Sequence, residues 1–310
     1  MKIAFVGKWG SGKTTLTSFF IRYLLKLKNI VIAIDGDINV WLGEWLWIDF
    51  DREKYISKIT TSEKIRKKLI GKNTKIISSN HFVKTTPPAT WSYLIRANSE
   101  DFFSEFCSYS DPLLKFFHVG TYEKEWIGTS CYHTNLSILE NIISHSHLDT
   151  EEYMIVDMVA GNDSFSNTLH SQFDLICLVV EPTIESVAMV ANFCDLANHS
   201  DRTSPILLIG NKIEDQEDID YLLSEWIHVD FAIPYKKSIK IHKRNKDIFQ
   251  DIEIENIFPD LLSYIHKNIQ IDNNKRLQSL YILHQKYIEL DYIKSPLGDL
   301  SSHIDLDFHL

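Results

Sequence analysis

Residues 7–15 read Gly-Lys-Trp-Gly-Ser-Gly-Lys-Thr-Thr, and no other stretch constrains the fold of this chain as tightly. The spacing of Gly7, Gly12, Lys13 and Thr14 fits a loop whose successive backbone N–H groups, together with a helix N-terminus, face phosphate oxygens. The flanks agree: the apolar run Ile3-Ala4-Phe5-Val6 precedes the loop, and Leu16, Phe19, Phe20, Tyr23 and Leu24 follow it at helical spacing. Strand, loop and helix in that order are what such a cradle needs. Glycines let the backbone curl, Lys13 reaches the β- and γ-phosphates, and the Thr14 hydroxyl is placed to ligate magnesium. The whole segment, Gly7, Lys8, Trp9, Gly10, Ser11, Gly12, Lys13, Thr14 and Thr15, is therefore expected to hold a nucleoside triphosphate. The plain alternative is a structural glycine-rich turn.

Strand patterns keep alternating with helical ones, which predicts an α/β fold: a mostly parallel, twisted sheet with helices on both faces. Ligands of such sheets sit at the carboxyl ends of the strands. Ile30 to Ile34 ends in Asp35-Gly36-Asp37, and Met154 to Val156 ends in Asp157, with Val159-Ala160-Gly161 beyond. Leu175 to Val180 ends in Glu181-Pro182-Thr183, and Ile206 to Ile209 ends in Gly210-Asn211-Lys212. Each buried strand delivers polar residues to one rim. Asp157, following its apolar strand, is expected to hold magnesium directly or through water, with an N-cap or turn aspartate as the simpler reading. The Asn211 amide suits the edge of an adenine ring, with Lys212 beside it.

With 310 residues, 44% of them hydrophobic and 24% charged, the chain has enough apolar material for one large core. The nucleotide domain is expected over residues 1–265, with an insertion at 50–118, and a helical C-terminal tail over 266–310. In the insertion, Glu63 to Ile70 reads as a basic helix and Phe82 to Trp91 as extended, because proline disfavours helix in the residue before it. The formal charge of −10, with no long basic run, argues against a nucleic-acid partner. No apolar run reaches the ~18 residues of a membrane span, and the first core strand already occupies the N-terminus, so neither a span nor a cleaved signal peptide is expected. Four cysteines, Cys107, Cys131, Cys177 and Cys194, form no Cys-x-x-Cys pair, which fits a reducing, cytoplasmic setting. Lys275 to Lys294 forms a last helical pattern; its mixed charges favour packing on the core or a second subunit over a membrane surface.

Lys8, directly after the first glycine of the loop, makes the segment resemble the deviant P-loop ATPases of the MinD, ParA and ArsA group. That resemblance implies a slow ATPase, active with magnesium, that forms a homodimer on binding ATP and changes its affinity for a client or regulatory protein. It further implies that Lys8 reaches the partner subunit's nucleotide, that Asp37 orients the attacking water with Asp35 as the competing candidate, and that the Gly161 N–H reports the γ-phosphate. Trp9 departs from the group's usual glycine.

Within the group, Asp35-Gly36-Asp37-Ile38-Asn39, the Val156 to Gly161 stretch and Ile127 to Asn135 resemble the CooC-like nickel-insertion accessory ATPases, whose Gly-x-Gly-Cys-x-Cys stretch binds metal between subunits. Here the second cysteine is replaced by His133. Cys131 and His133 from two subunits would give four ligands for zinc or nickel; a half-buried cysteine beside a surface histidine is the competing reading. His145 and His147 are expected as solvated residues at a helix end, with an extension of the metal site as the alternative. The alternative function is a partner-recruiting switch of the MinD and ParA kind, without metal.

Overall fold

The computed structural model describes residues 1–121, 132–200, 204–239 and 256–310. Eight strands form one sheet: β1 (Lys2–Gly7), β2 (Ile30–Asp35), β3 (Tyr109–Ser110), β4 (Leu114–His118), β5 (Glu152–Asp157), β6 (Leu175–Val180), β7 (Ile206–Ile213) and β8 (Phe231–Pro234). Their order is β3-β4-β2-β5-β1-β6-β7-β8, and every pair is parallel except the short hairpin of β3 with β4. This is the expected mostly parallel α/β sheet. β1 lies at its centre between β5 and β6, with Phe5 level with Asp157 on one side and Cys177 on the other. The loop after β1 therefore emerges at the middle of the carboxyl rim.

Continuous apolar strands follow from covering both faces, since alternate side chains point to opposite layers. On one face Ile3, Phe5, Ala33, Ile155 and Val179 pack against α1 (Lys13–Lys26), α2 (Leu42–Leu46) and α8 (Ile257–Asn268). On the other, Ala4, Val6, Ile34, Val156 and Leu178 meet α3 (Ile59–Ile70), α4 (Glu100–Phe106), α5 (Tyr132–Ser144) and α6 (Ile184–His199), in a cluster that also takes in Leu222 of α7 (Gln216–Ser224). The basic segment predicted as a helix lies inside α3. Residues 82–91, expected to be extended, form neither helix nor strand: the chain turns at Lys84-Thr85, where the Thr86 N–H donates to the Val83 carbonyl at 3.0 Å, and again at Thr90-Trp91, with Trp91 at φ 71°. The end of the 50–118 stretch, β3 and β4, belongs to the main sheet. Lys115 breaks the apolar run there; it is buried, with its ammonium on Glu100 at 2.9 Å and Ser110 at 3.0 Å.

The last helical pattern divides into α9 (Asn273–Ile288) and α10 (Asp291–Leu297), because Leu290 takes an extended conformation at ψ 132°. The tail packs on the chain itself. Arg276 bonds the buried Asp174, His284 meets Thr85 at 2.9 Å, and Asp305 accepts the Thr90 N–H at 2.9 Å. Ile288, Ile293 and Leu300 make a small cluster with Val83. Among the described residues no helix is long and apolar enough to cross a membrane.

Candidate functional site

Two glycines shape the loop between β1 and α1. Gly10 at φ 87° and Gly12 at φ 89° lie in the left-handed region, where a side chain is strained. Gly12 has a second reason to lack one: a Cβ there would stand 2.3 Å from the Asn211 Nδ2. The loop is fastened from β7, whose pairing with β8 slips between Asn211 and Ile213, with Lys212 at φ 61°. An irregularity of this kind re-aims neighbouring side chains. Asn211 Nδ2 donates to the Ser11 carbonyl at 2.6 Å, and Lys212 Nζ donates to the Gly10 carbonyl at 2.6 Å. The Asn-Lys pair thus braces the loop's backbone.

Four side chains converge where α1 begins. Lys13 Nζ donates to Asp37 at 3.0 Å, and the Thr14 hydroxyl donates to Asp157 at 2.6 Å. The Thr17 hydroxyl lies 3.3 Å from the other Asp157 oxygen. Asp35 and Asp157 are adjacent in register on β2 and β5, and both are fully buried. Burial raises the pKa of each, and their mutual repulsion adds to this for Asp35. For Asp37 burial acts upward too, but Lys13 and the Asn39 donors outweigh it and hold the carboxylate below its usual range. Lys13 is held above its usual range, the attraction of Asp157 and Asp37 overcoming its desolvation.

Asp35 and Asp37, the two candidates for orienting water, differ in surroundings. Asp35 accepts the backbone N–H of Asp37 at 3.0 Å and of Leu42 at 2.7 Å, which pins the loop into α2. Asp37 lines the cleft with Lys13 and Thr14. Gly161, at φ 87°, donates its N–H to the Gly7 carbonyl at 3.2 Å, so the second rim loop touches the first.

The cleft measures about 470 Å³ and runs from Lys13, Thr14 and Asp37 past Thr15 and Asn211 to Pro234 and Tyr235. Its rim carries Trp9, 73% exposed, and Trp41, 56% exposed, with Trp45 beneath. Trp9 therefore faces outward from the loop. The buried carboxyl groups of Asp35 and Asp157 and the half-buried Asp37 gather around one ammonium, and a hydroxyl beside the buried Asp157 matches the donor set of magnesium, which takes few protein ligands and several phosphate or water oxygens. Thr14 and Asp157 fit that ion.

Residue patterns gave no role to Glu181, yet it pairs with Lys212 at 2.7 Å and with Lys8 at 3.6 Å, and Glu185 stands 3.8 Å from Lys8. Its place at the end of an apolar strand was the available signal. Nor was Trp41 picked out; only its closeness to Asp37 in the chain could have suggested it.

Cys131 lies outside the described residues, as does the side chain of His133, although His133 falls within α5. Among the described residues no group of three or more His, Cys, Asp or Glu could hold a metal ion. His145 does follow a helix end, but it is fully buried, not solvated; desolvation drives its pKa down to about 3, so it is neutral. It packs against Phe82 beneath α5, which the apolar face of that helix could not foretell.

No family model matches the chain. An uncharacterized ATP-binding protein of Methanocaldococcus jannaschii is 26% identical over 273 residues, covering 86% of this chain and 98% of the relative. The carbon monoxide dehydrogenase accessory protein CooC of Rhodospirillum rubrum is 24% identical over 242 residues, 77% of this chain and 86% of CooC. Among solved structures, a ParA family ATPase from Chlorobium tepidum superposes with a TM-score of 0.52 at 15% identity, covering 92% of this chain and 98% of its own. The cell division ATPase MinD of Pyrococcus furiosus gives 0.51 at 15%, with 86% and 98% covered. The chain accordingly has the fold of the ParA and MinD P-loop ATPases and is similar in sequence to ATP-binding proteins that include CooC.

Proposed function

We propose that the chain binds ATP with magnesium in the cleft above Gly7 to Thr15, hydrolyses it slowly, and uses the bound state to pair with a second copy. The observation that carries this reading is the convergence of Lys13, Asp37, Thr14 and Asp157 at the N-terminus of α1. Lys13 would exchange Asp37 for the β- and γ-phosphate oxygens, since their charge and the helix N-terminus compete for the same ammonium. That exchange frees Asp37, an ionised carboxylate at the cleft wall, to orient water in line with the γ-phosphate. Magnesium, held by Thr14 and Asp157, would neutralise charge on the phosphate oxygens. Gly161 would carry the signal by moving its N–H from Gly7 to the γ-phosphate. Lys8 would complete the site from a second subunit.

The similarity to CooC, an accessory protein of carbon monoxide dehydrogenase, supports a role in the maturation of a client protein. On this reading the chain would deliver metal in the cytoplasm, with Cys131 and His133 as the zinc or nickel ligands. The fold likeness to ParA and MinD supports the second reading, a metal-free switch that recruits a regulatory partner. Metal content of the purified dimer separates the two.

The hydrolytic reading is tested by phosphate release from ATP, with nucleotide binding measured separately. Lys13→Ala should weaken binding ~10- to 100-fold, the loss of a charge-assisted contact. Asp37→Asn should leave binding within a few-fold and lower turnover ~100-fold or more. Unchanged turnover in both would overturn the assignment.

A further inference from the structure

Each lysine at the loop already has a carboxylate on its own subunit. Lys13 has Asp37, while Lys8 and Lys212 share Glu181, with Glu185 adding a second contact to Lys8. We infer that Glu181 and Glu185 act as a counter-charge holding Lys8 in cis, and that association with a second copy must break this contact. This inference rests on the proposed role of Lys8 at a second copy's nucleotide.

The geometry suits a hold that opens. Glu181 is fixed: its side chain is 10% exposed, its backbone N–H donates to the Ser186 hydroxyl at 3.0 Å, and its other partner Lys212 is anchored on the Gly10 carbonyl. Glu185 sits in the first turn of α6, 71% exposed, and touches the same ammonium from the solvent side. Lys8 lies between them at 3.6 and 3.8 Å, longer than the 2.7 Å of the Lys212 pair. Two carboxylates thus face two lysines in a balanced quartet, in which the Lys8 contacts are the loose ones. An ammonium that reaches a neighbouring molecule's phosphates cannot also remain here. Partly exposed ion pairs are weak, so the hold would tune the association without abolishing it.

Two-fold symmetry magnifies the effect, because one dimer releases two Lys8 side chains. A contact worth a factor of ~1.5–5 on one subunit becomes ~2–25 in the dimer dissociation constant. The test is sedimentation of the full chain over a concentration series with magnesium and a non-hydrolysable ATP analogue, for wild type, Glu185→Gln, Glu181→Gln and Lys8→Ala. Analogue affinity is measured in parallel at concentrations where the protein is monomeric. Glu185→Gln, a surface change with no other ion pair among the described residues, should tighten the dimer ~2- to 5-fold with monomer affinity within twofold of wild type. Glu181→Gln should tighten it further, and a wild type that stays monomeric while Glu181→Gln dimerises would also support the hold. Wild-type dimer constants in both Glu variants, or weaker ones, overturn the inference even if Lys8→Ala fails to dimerise. A Lys8→Ala variant that dimerises like wild type overturns the reading of Lys8 itself, and the inference with it.

Discussion

Glu140, on α5, is fully buried, with one carboxyl oxygen accepting the Thr168 backbone N–H at 2.9 Å and the Thr168 hydroxyl at 2.6 Å. Its other oxygen, Oε1, has no partner. Burial raises its pKa from 4.5 to about 7 despite the opposing pull of Lys84 and Thr168. The folded protein therefore keeps a proton that the unfolded chain has released between those two values. In that window stability falls by about 1.4 kcal/mol per pH unit, or about 3 kcal/mol in all. The contribution is fully present below pH 4.5 and gone above pH 7. Glu140→Gln keeps an acceptor for Thr168 and never ionises. Urea denaturation of both proteins at pH 5 and pH 8 should show the stability of the variant relative to wild type rising by about 2–3 kcal/mol at the higher pH. A difference between the proteins that does not change with pH would refute the argument, whatever its absolute size.

Two further outcomes follow from single contacts. Gly12→Ala must accommodate a left-handed backbone and push Asn211 off the Ser11 carbonyl, so it should cost about 2–4 kcal/mol of stability and most of the nucleotide affinity; additional Asn211→Ala should recover part of the stability by relieving the clash, as a double-mutant cycle would read. Arg276→Ala leaves the buried Asp174 without its cation, at a cost of about 3–5 kcal/mol, and amide exchange over α9 and α10 should rise well before exchange in β1.

The central sheet was legible because β1, β2, β5, β6 and β7 each contain a run of apolar residues ending in polar ones, the mark of parallel strands covered on both faces. β4 escaped because Lys115 and His118 interrupt its pattern, and their burial depends on Glu100 and on the aromatic rings of Phe50 and Tyr55 from elsewhere in the chain. β8 has only four residues and ends in proline, too short for a periodic signal. In the site, loop spacing brought out Lys13 and Thr14, and strand ends brought out Asp37 and Asp157. The pairing of Lys8 with Glu181 spans most of the domain in sequence, and no local pattern encodes it. Likewise the break at Leu290 is invisible to a 3.6-residue period that continues across it.

Nucleotide-dependent pairing is the claim on which the proposed function stands, and the mass of the protein in solution tests it most directly. Measured without nucleotide, with ADP and with ATP plus magnesium, the mass should double only in the last case and revert as ATP is consumed, with Asp37→Asn holding the doubled form. A mass that is the same in all three conditions would contradict the account, because Lys8 would then have no second nucleotide to reach.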